Sequence, residues 1–259
     1  MSERRAALIG FLTAGDPSLT LSQRFCTAIV DGGVDILELG VPFSDPIADG
    51  VTIQASTYRA LSAGVKLGDV LRLANSLKDY RDVPIVLLSY MNPIYRFGIK
   101  RFFQTAASSG VDGLVVPDLP VEEAGELINE ARDTGIDTVF LASPTTTEER
   151  LEKILSASTG FVYLVSLLGV TGVRETVSHE GLKLLERVKS RRPRPYAAVG
   201  FGVSKPEHVA ALSERGAEGV IVGSALVRIV EENLTTPSKA EELLRRFTAS
   251  LREAAGGRH

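Results

Sequence analysis

Short apolar runs rich in β-branched residues alternate along the chain with longer stretches whose apolar positions recur at helical spacing. Read this way, strands fall at 7–13, 34–39, 85–90, 113–117, 138–142, 161–166, 196–199 and 219–222. A first helix follows Asp16 or Ser18 as cap and runs to residue 30. Further helices fall at 52–62, 67–79, 99–108, 121–133, 147–157, 181–189, 206–215, 224–232 and 239–252. The runs Gly33-Val34-Asp35, Gly110-Val111-Asp112, Gly135-Ile136-Asp137 and Gly216-Ala217-Glu218 each join a helix to the next strand. Glycine suits that junction because it tolerates the left-handed conformation that ends a helix.

Strands that are apolar throughout are covered on both faces, the mark of a parallel sheet wrapped in helices. The repeated strand–helix unit in a chain of 259 residues predicts a single-domain (β/α)8 TIM barrel. A doubly wound open sheet is the alternative. No composition shift divides the chain, and the tail after about residue 252 is expected to fray.

Composition then narrows the function. A net charge of -3 with no basic stripe argues against nucleic acid as a partner. The single cysteine, Cys26, rules out an internal disulfide and makes a reducing, cytoplasmic setting the expectation. His179, His208 and His259 are scattered and show no metal-ligand spacing, so no metal is expected. Glu3-Arg4-Arg5 before AALIGFLTA imitates a short signal peptide, but Gly10 and Asp16-Pro17 favour a buried first strand. No run approaches the ~20 apolar residues of a membrane span.

The chemistry concentrates in VDILELGVPFSDPIADGVTIQ, residues 34–54. Glu38 is an acid inside an apolar strand, where ionisation is costly. Burial raises such a pKa and suits the group to proton transfer near neutrality, although a strand-end Glu held by a tyrosine or the backbone reads equally well. The loop that follows supplies Asp45 and Asp49. In a barrel the site lies at the C-terminal ends of the strands, which places Glu38 at the mouth. Gly200-Phe201-Gly202 and Gly223-Ser224 follow the last two strands, and the second pair opens a short helix. That is the usual phosphate position, where backbone N–H groups and a helix N-terminus meet an anion. Residues 169–178 are long enough for a lid, with Gly169 and Gly172 as hinges. Tyr90 and Tyr163 can bring hydroxyls to the mouth or simply pack, and Asp118 can serve the site or cap a helix. Every lysine lies in a predicted helix or loop, so carbon–carbon chemistry here would run on carboxylates rather than a Schiff base.

The segments ELGVPFSDPIADGVTIQ, SYMNPIYRFG, PDLPVEE, LLGVTGVR, GFGVSKPEHV and VGSALV, in this order, resemble the tryptophan synthase α-subunit family from Gly10 to about Glu232. The resemblance implies a TIM barrel that cleaves indole-3-glycerol phosphate to indole and glyceraldehyde 3-phosphate. It implies Glu38 as the acid/base and Asp49 as the acceptor of the indole N–H. Tyr163 matches a tyrosine beside the catalytic Glu, and Thr171 matches a lid threonine. Gly172, Gly202, Gly223 and Ser224 match the phosphate cradle, while Phe11 and Leu88 match the indole pocket. It further implies a β-subunit partner in an α2β2 heterotetramer, met by Pro42, Asp45 and the turn at Asn92-Pro93. Pyridoxal phosphate is expected in that partner and no cofactor in this chain.

Two departures concern the lid and the coupling: the segment before the first strand is short, and Leu167 stands where many members carry arginine. A stand-alone indole-releasing lyase, a weakly active subunit that serves its partner, and another phosphate-barrel isomerase or epimerase remain as alternatives.

Overall fold

The computed structural model describes residues 5–165, 179–191, 195–200 and 202–256. In chain order the first half comprises β1 (Ala7–Thr13), α1 (Leu19–Asp31), β2 (Ile36–Gly40), α2 (Val51–Ser62), α3 (Leu67–Tyr80), β3 (Ile85–Leu88), α4 (Met91–Phe97), α5 (Ile99–Ser108) and β4 (Gly113–Val115). A 3-10 turn, Val121–Glu123, precedes α6 (Gly125–Thr134), β5 (Asp137–Val139), β6 (Leu141–Ala142), α7 (Glu148–Ala157) and β7 (Phe161–Val165). The chain continues through α8 (His179–Lys189), β8 (Tyr196–Gly200), α9 (Pro206–Glu214), β9 (Gly219–Val222), α10 (Ser224–Glu232) and α11 (Pro237–Ala255).

The strands are all parallel, in the order β5-β4-β3-β2-β1-β9-β8-β7-β6. The two ends of that order, β5 and β6, are halves of one run separated only by Phe140, so the ring closes through the chain itself. Phe140 makes the transfer: its N–H donates to Ser158 Oγ at 3.3 Å and its carbonyl accepts from Tyr163 N at 2.9 Å. The predicted strand at 138–142 is therefore one barrel stave that pairs β4 with its first half and β7 with its second. This is the TIM barrel that the alternation predicts, and the open sheet is set aside.

Two apolar layers follow from strand alternation. Ile9, Val86, Val115, Val139, Phe161, Ala198 and Ile221 fill the barrel interior. Leu8, Leu37, Leu39, Leu87, Leu114 and Val220 face outward and pack under the helices. Ile36 belongs to the inner layer, and Glu38, two residues on, points the same way. All four helix-to-strand glycines, Gly33, Gly110, Gly135 and Gly216, have positive φ, which is why the turn into each strand is so short.

Three local details bear on the sequence reading. Ser18, not Asp16, caps α1, its Oγ accepting from Leu21 N at 3.3 Å; Asp16 is buried and paired with Arg59 of α2 at 2.7 and 2.8 Å. The Asn92-Pro93 turn is the first turn of α4, where a proline costs no intrahelical hydrogen bond. Past residue 252, α11 continues to Ala255, whose side chain is fully buried and whose carbonyl accepts from Ser213 Oγ at 3.2 Å.

Candidate active site

Glu38 sits on β2 with 1% of its surface exposed, and neither carboxyl oxygen has a hydrogen-bond partner among the described residues. A carboxylate in that setting has lost its water and gained nothing in exchange. Burial, with a smaller push from the Asp49 charge, raises its pKa to about 8. Glu38 therefore keeps its proton at neutral pH and sits within reach of losing it. The sequence left open whether a tyrosine or the backbone satisfies this acid; no such bond forms among the described residues.

Asp49 lies at the end of the β2–α2 loop, one residue before the N-cap Gly50. Partial burial raises its pKa to about 6, opposed by a hydrogen bond from Tyr90 at 3.1 Å. The two acids are thereby pushed apart, one mostly ionised and one mostly protonated at pH 7, a division of roles that proton-transfer sites require.

The apolar wall comes from neighbouring strands. Phe11 stands opposite Glu38 in the β1–β2 register, and Leu88 of β3 stands opposite Gly40. A Cβ on Gly40 would lie 2.6 Å from Phe11 Cζ, and one on Gly223 would lie 3.3 Å from Phe11 Cδ1. The ring thus lies across the ends of β2 and β9 because both residues are glycine. Tyr163 is buried and points at the end of β8, where a Cβ on Gly200 would lie 2.6 Å from its hydroxyl. Gly40 read in the sequence as a turn residue and Gly200 as part of a phosphate loop; their role as room for these two rings required the assembled barrel.

Gly202 follows β8 with φ +78°, and Gly223 is the N-cap of α10 with no side-chain cap bond. The first turn of α10 therefore presents N–H groups and a positive helix end at the same mouth, with Ser224 exposed as its first residue. Thr171 and Gly172, together with Leu167 and the predicted lid at 169–178, lie outside the described residues. Among the described residues no group of three His, Cys, Asp or Glu side chains is arranged to hold a metal. None of the described helices is long and apolar enough to cross a membrane.

The predicted partner contacts divide. Asp45 and Asn92 are exposed, but Pro42 is buried in this chain, because Val41 N continues the strand pairing to Leu88 O at 2.8 Å and draws the chain inward there. Ile47 and Val51, which the sequence reading passed over, are 81% and 82% exposed on the same loop and the start of α2. Asp118 Oδ1 accepts from Met91 N at 2.9 Å, at the start of α4 rather than of the helix that follows it in the chain.

A family model described as Tryptophan synthase alpha chain matches residues 1–256. The chain belongs to the tryptophan synthase alpha chain family. It is 49% identical over 251 residues to the family member of Methanoregula boonei, covering 97% of this chain and 94% of that one. The Pyrococcus abyssi member is 50% identical over 253 residues, covering 98% and 99%. Among solved structures, a chain of the Pyrococcus furiosus tryptophan synthase a2b2 complex superposes with a TM-score of 0.90 at 48% identity, covering 96% of this chain and 99% of that one. The family makes the chain an enzyme of tryptophan biosynthesis.

Proposed function

We propose that the chain carries out a carbon–carbon lyase reaction, the cleavage of indole-3-glycerol phosphate to indole and glyceraldehyde 3-phosphate. The observation that carries this reading is Glu38, a carboxyl inside the barrel mouth with neither oxygen partnered among the described residues. The bond to be broken joins indole C3 to the glycerol chain, and an indole carbanion leaves poorly. Protonated Glu38 delivers its proton to C3 and produces an iminium-like ring that can accept electrons. The Glu38 carboxylate left behind takes the proton of the side-chain hydroxyl next to the breaking bond. That oxygen becomes the aldehyde, the C3 bond electrons return to the ring, and Glu38 is protonated again. Ionised Asp49 accepts the indole N–H and balances the positive charge that develops on the ring.

In this reading Phe11, Leu88 and Tyr163 enclose the indole. Gly202, Gly223 and Ser224 hold the phosphate against the first turn of α10, with Thr171 and Gly172 completing the site. The Pyrococcus furiosus neighbour is an a2b2 complex with mutual activation, and a β subunit is the partner assigned to this chain. Asp45 and Asn92, with the bare apolar Ile47 and Val51 beside them, offer that partner a surface next to Asp49. Pyridoxal phosphate belongs to that partner and takes no part in the steps above. The lone, buried Cys26 fits a reducing, cytoplasmic setting.

The test is release of indole from indole-3-glycerol phosphate by the purified chain, alone and with a β subunit. Release that the partner accelerates supports both the lyase and the complex. Equal release without it points to a stand-alone lyase, and none under either condition overturns the reading.

A further inference from the structure

Asp49 does not hold its own position. It sits on a loop whose other hydrogen bonds, among the described residues, stay within residues 44–50 or go to the first turn of α2: Ser44 to Asp45, Ile47 N to Asp45 O, Asp49 N to Pro46 O, and Gln54 to Asp49 O and Gly50 O. One side chain ties this loop tip to the barrel wall. Tyr90, 2% exposed just past β3, accepts from Ala48 N at 2.9 Å and donates to Asp49 Oδ2 at 3.1 Å.

The polarity of this pair of bonds is forced. A backbone N–H can only donate, so it occupies a lone pair of the phenol oxygen and turns the single hydroxyl proton towards the carboxylate. One Asp49 oxygen is thereby fixed, and the other is left for a substrate donor. Tyr90 is itself held: its ring lies 5.2 Å from that of Phe43, centroid to centroid, and its backbone begins α4, which Asp118 anchors through Met91 N. The geometry points to Tyr90 as the positioning residue for Asp49, a role that rests on the reaction assigned above.

Tyr90→Phe removes only the hydroxyl and keeps the ring. The Asp49 carboxyl, followed by isotope-edited infrared spectroscopy with Asp49→Asn as the blank, is expected to titrate about one pH unit higher in Y90F, because the bond that favours its ionised form is gone. Turnover is expected to fall about twofold at pH 7 and to approach a tenfold loss near pH 5, with KM within about twofold, so the loss shrinks as pH rises. Phe43→Leu, which trims the ring contact and keeps both hydrogen bonds, leaves the titration in place. Unchanged titration in Y90F overturns the proposal. So does a shift as large in F43L, or a turnover loss equal at every pH that tracks a lowered Tm. A wild-type chain without turnover would refute the assigned reaction, while the carboxyl titration would still decide the role of Tyr90.

Discussion

Asp35, at the N-terminal rim just before β2, and Glu38, three positions on towards the barrel mouth, meet opposite conditions. Asp35 accepts from Leu8 N at 2.8 Å and from both terminal nitrogens of Arg5 at 3.1 and 2.9 Å. The same device recurs around the N-terminal rim. Asp112 accepts from Ile85 N at 2.7 Å and pairs with Lys78 at 3.0 Å, and Glu218 accepts from Ala197 N at 2.9 Å. Each acid ties down the first N–H groups of the neighbouring strand. A cavity of about 820 Å³ opens there, between the rim acids and inner-layer residues such as Ile9, Ile36 and Val86. Its size alone would nominate it as a site, yet these three acids are occupied in holding strands together. At the other end Glu38 has no partner among the described residues. The contrast teaches that a satisfied carboxylate builds the barrel, whereas an unsatisfied one is free to move a proton.

Substitutions at the two ends should therefore fail in different ways. The largest expected effect is on turnover in Glu38→Gln, a loss of at least ~10³-fold, since amide cannot transfer the proton. Near wild-type kcat in that variant would remove Glu38 from the chemistry. The same substitution should reveal the cost of the site. Folded Glu38 holds its proton to about pH 8, against an ordinary value of 4.5, so the folded chain binds the extra proton between those limits. Stability from this group is complete below the unfolded pKa and is lost as pH rises towards 8, by as much as ~4 kcal/mol between pH 5 and 8. Glu38→Gln should flatten that slope in denaturant unfolding across the same range, and parallel slopes in the two proteins would contradict the raised pKa.

Asp49→Asn comes next, with kcat lowered by ~10²-fold, as for loss of one charge-stabilising group in a dry site. Steady-state kinetics with unchanged kcat would take Asp49 out of the mechanism. Asp35→Ala is expected to have the smallest effect and the opposite signature. It leaves Leu8 N without its acceptor and should cost about 1–3 kcal/mol of stability. Its kcat should match wild type under conditions where both are folded. A selective loss of turnover in that variant would break the division between the two ends.

Much of this was legible in the chain itself. The alternation of apolar runs and amphipathic stretches predicts the barrel because both periods are local properties of the backbone. The glycine at each helix end was readable for the same reason, since positive φ is a local demand. Glu38 and Asp49 stood out because charge is rare among buried strand residues and dense in the loop after β2. What the sequence read imperfectly was also local: Pro93 read as a turn residue because a proline that opens a helix and one that breaks it look alike without the capping acid, Asp118, from the loop after β4.

Other features belong to the tertiary structure alone. The acids after each helix-ending glycine look alike in sequence, and only the assembled ring shows three of them accepting from the strand before their own. Glu38 differs from them not in kind but in what the barrel leaves around it. Gly40 and Gly200 gain their meaning from Phe11 and Tyr163, which come from other strands. Tyr90 reaches Asp49 across 41 residues of chain. The sequence determined which segments form strands and helices and which acids are anomalous. The closure of the ring decided which of those acids are satisfied, because hydrogen-bond partners and lost solvent are long-range quantities that no local pattern encodes.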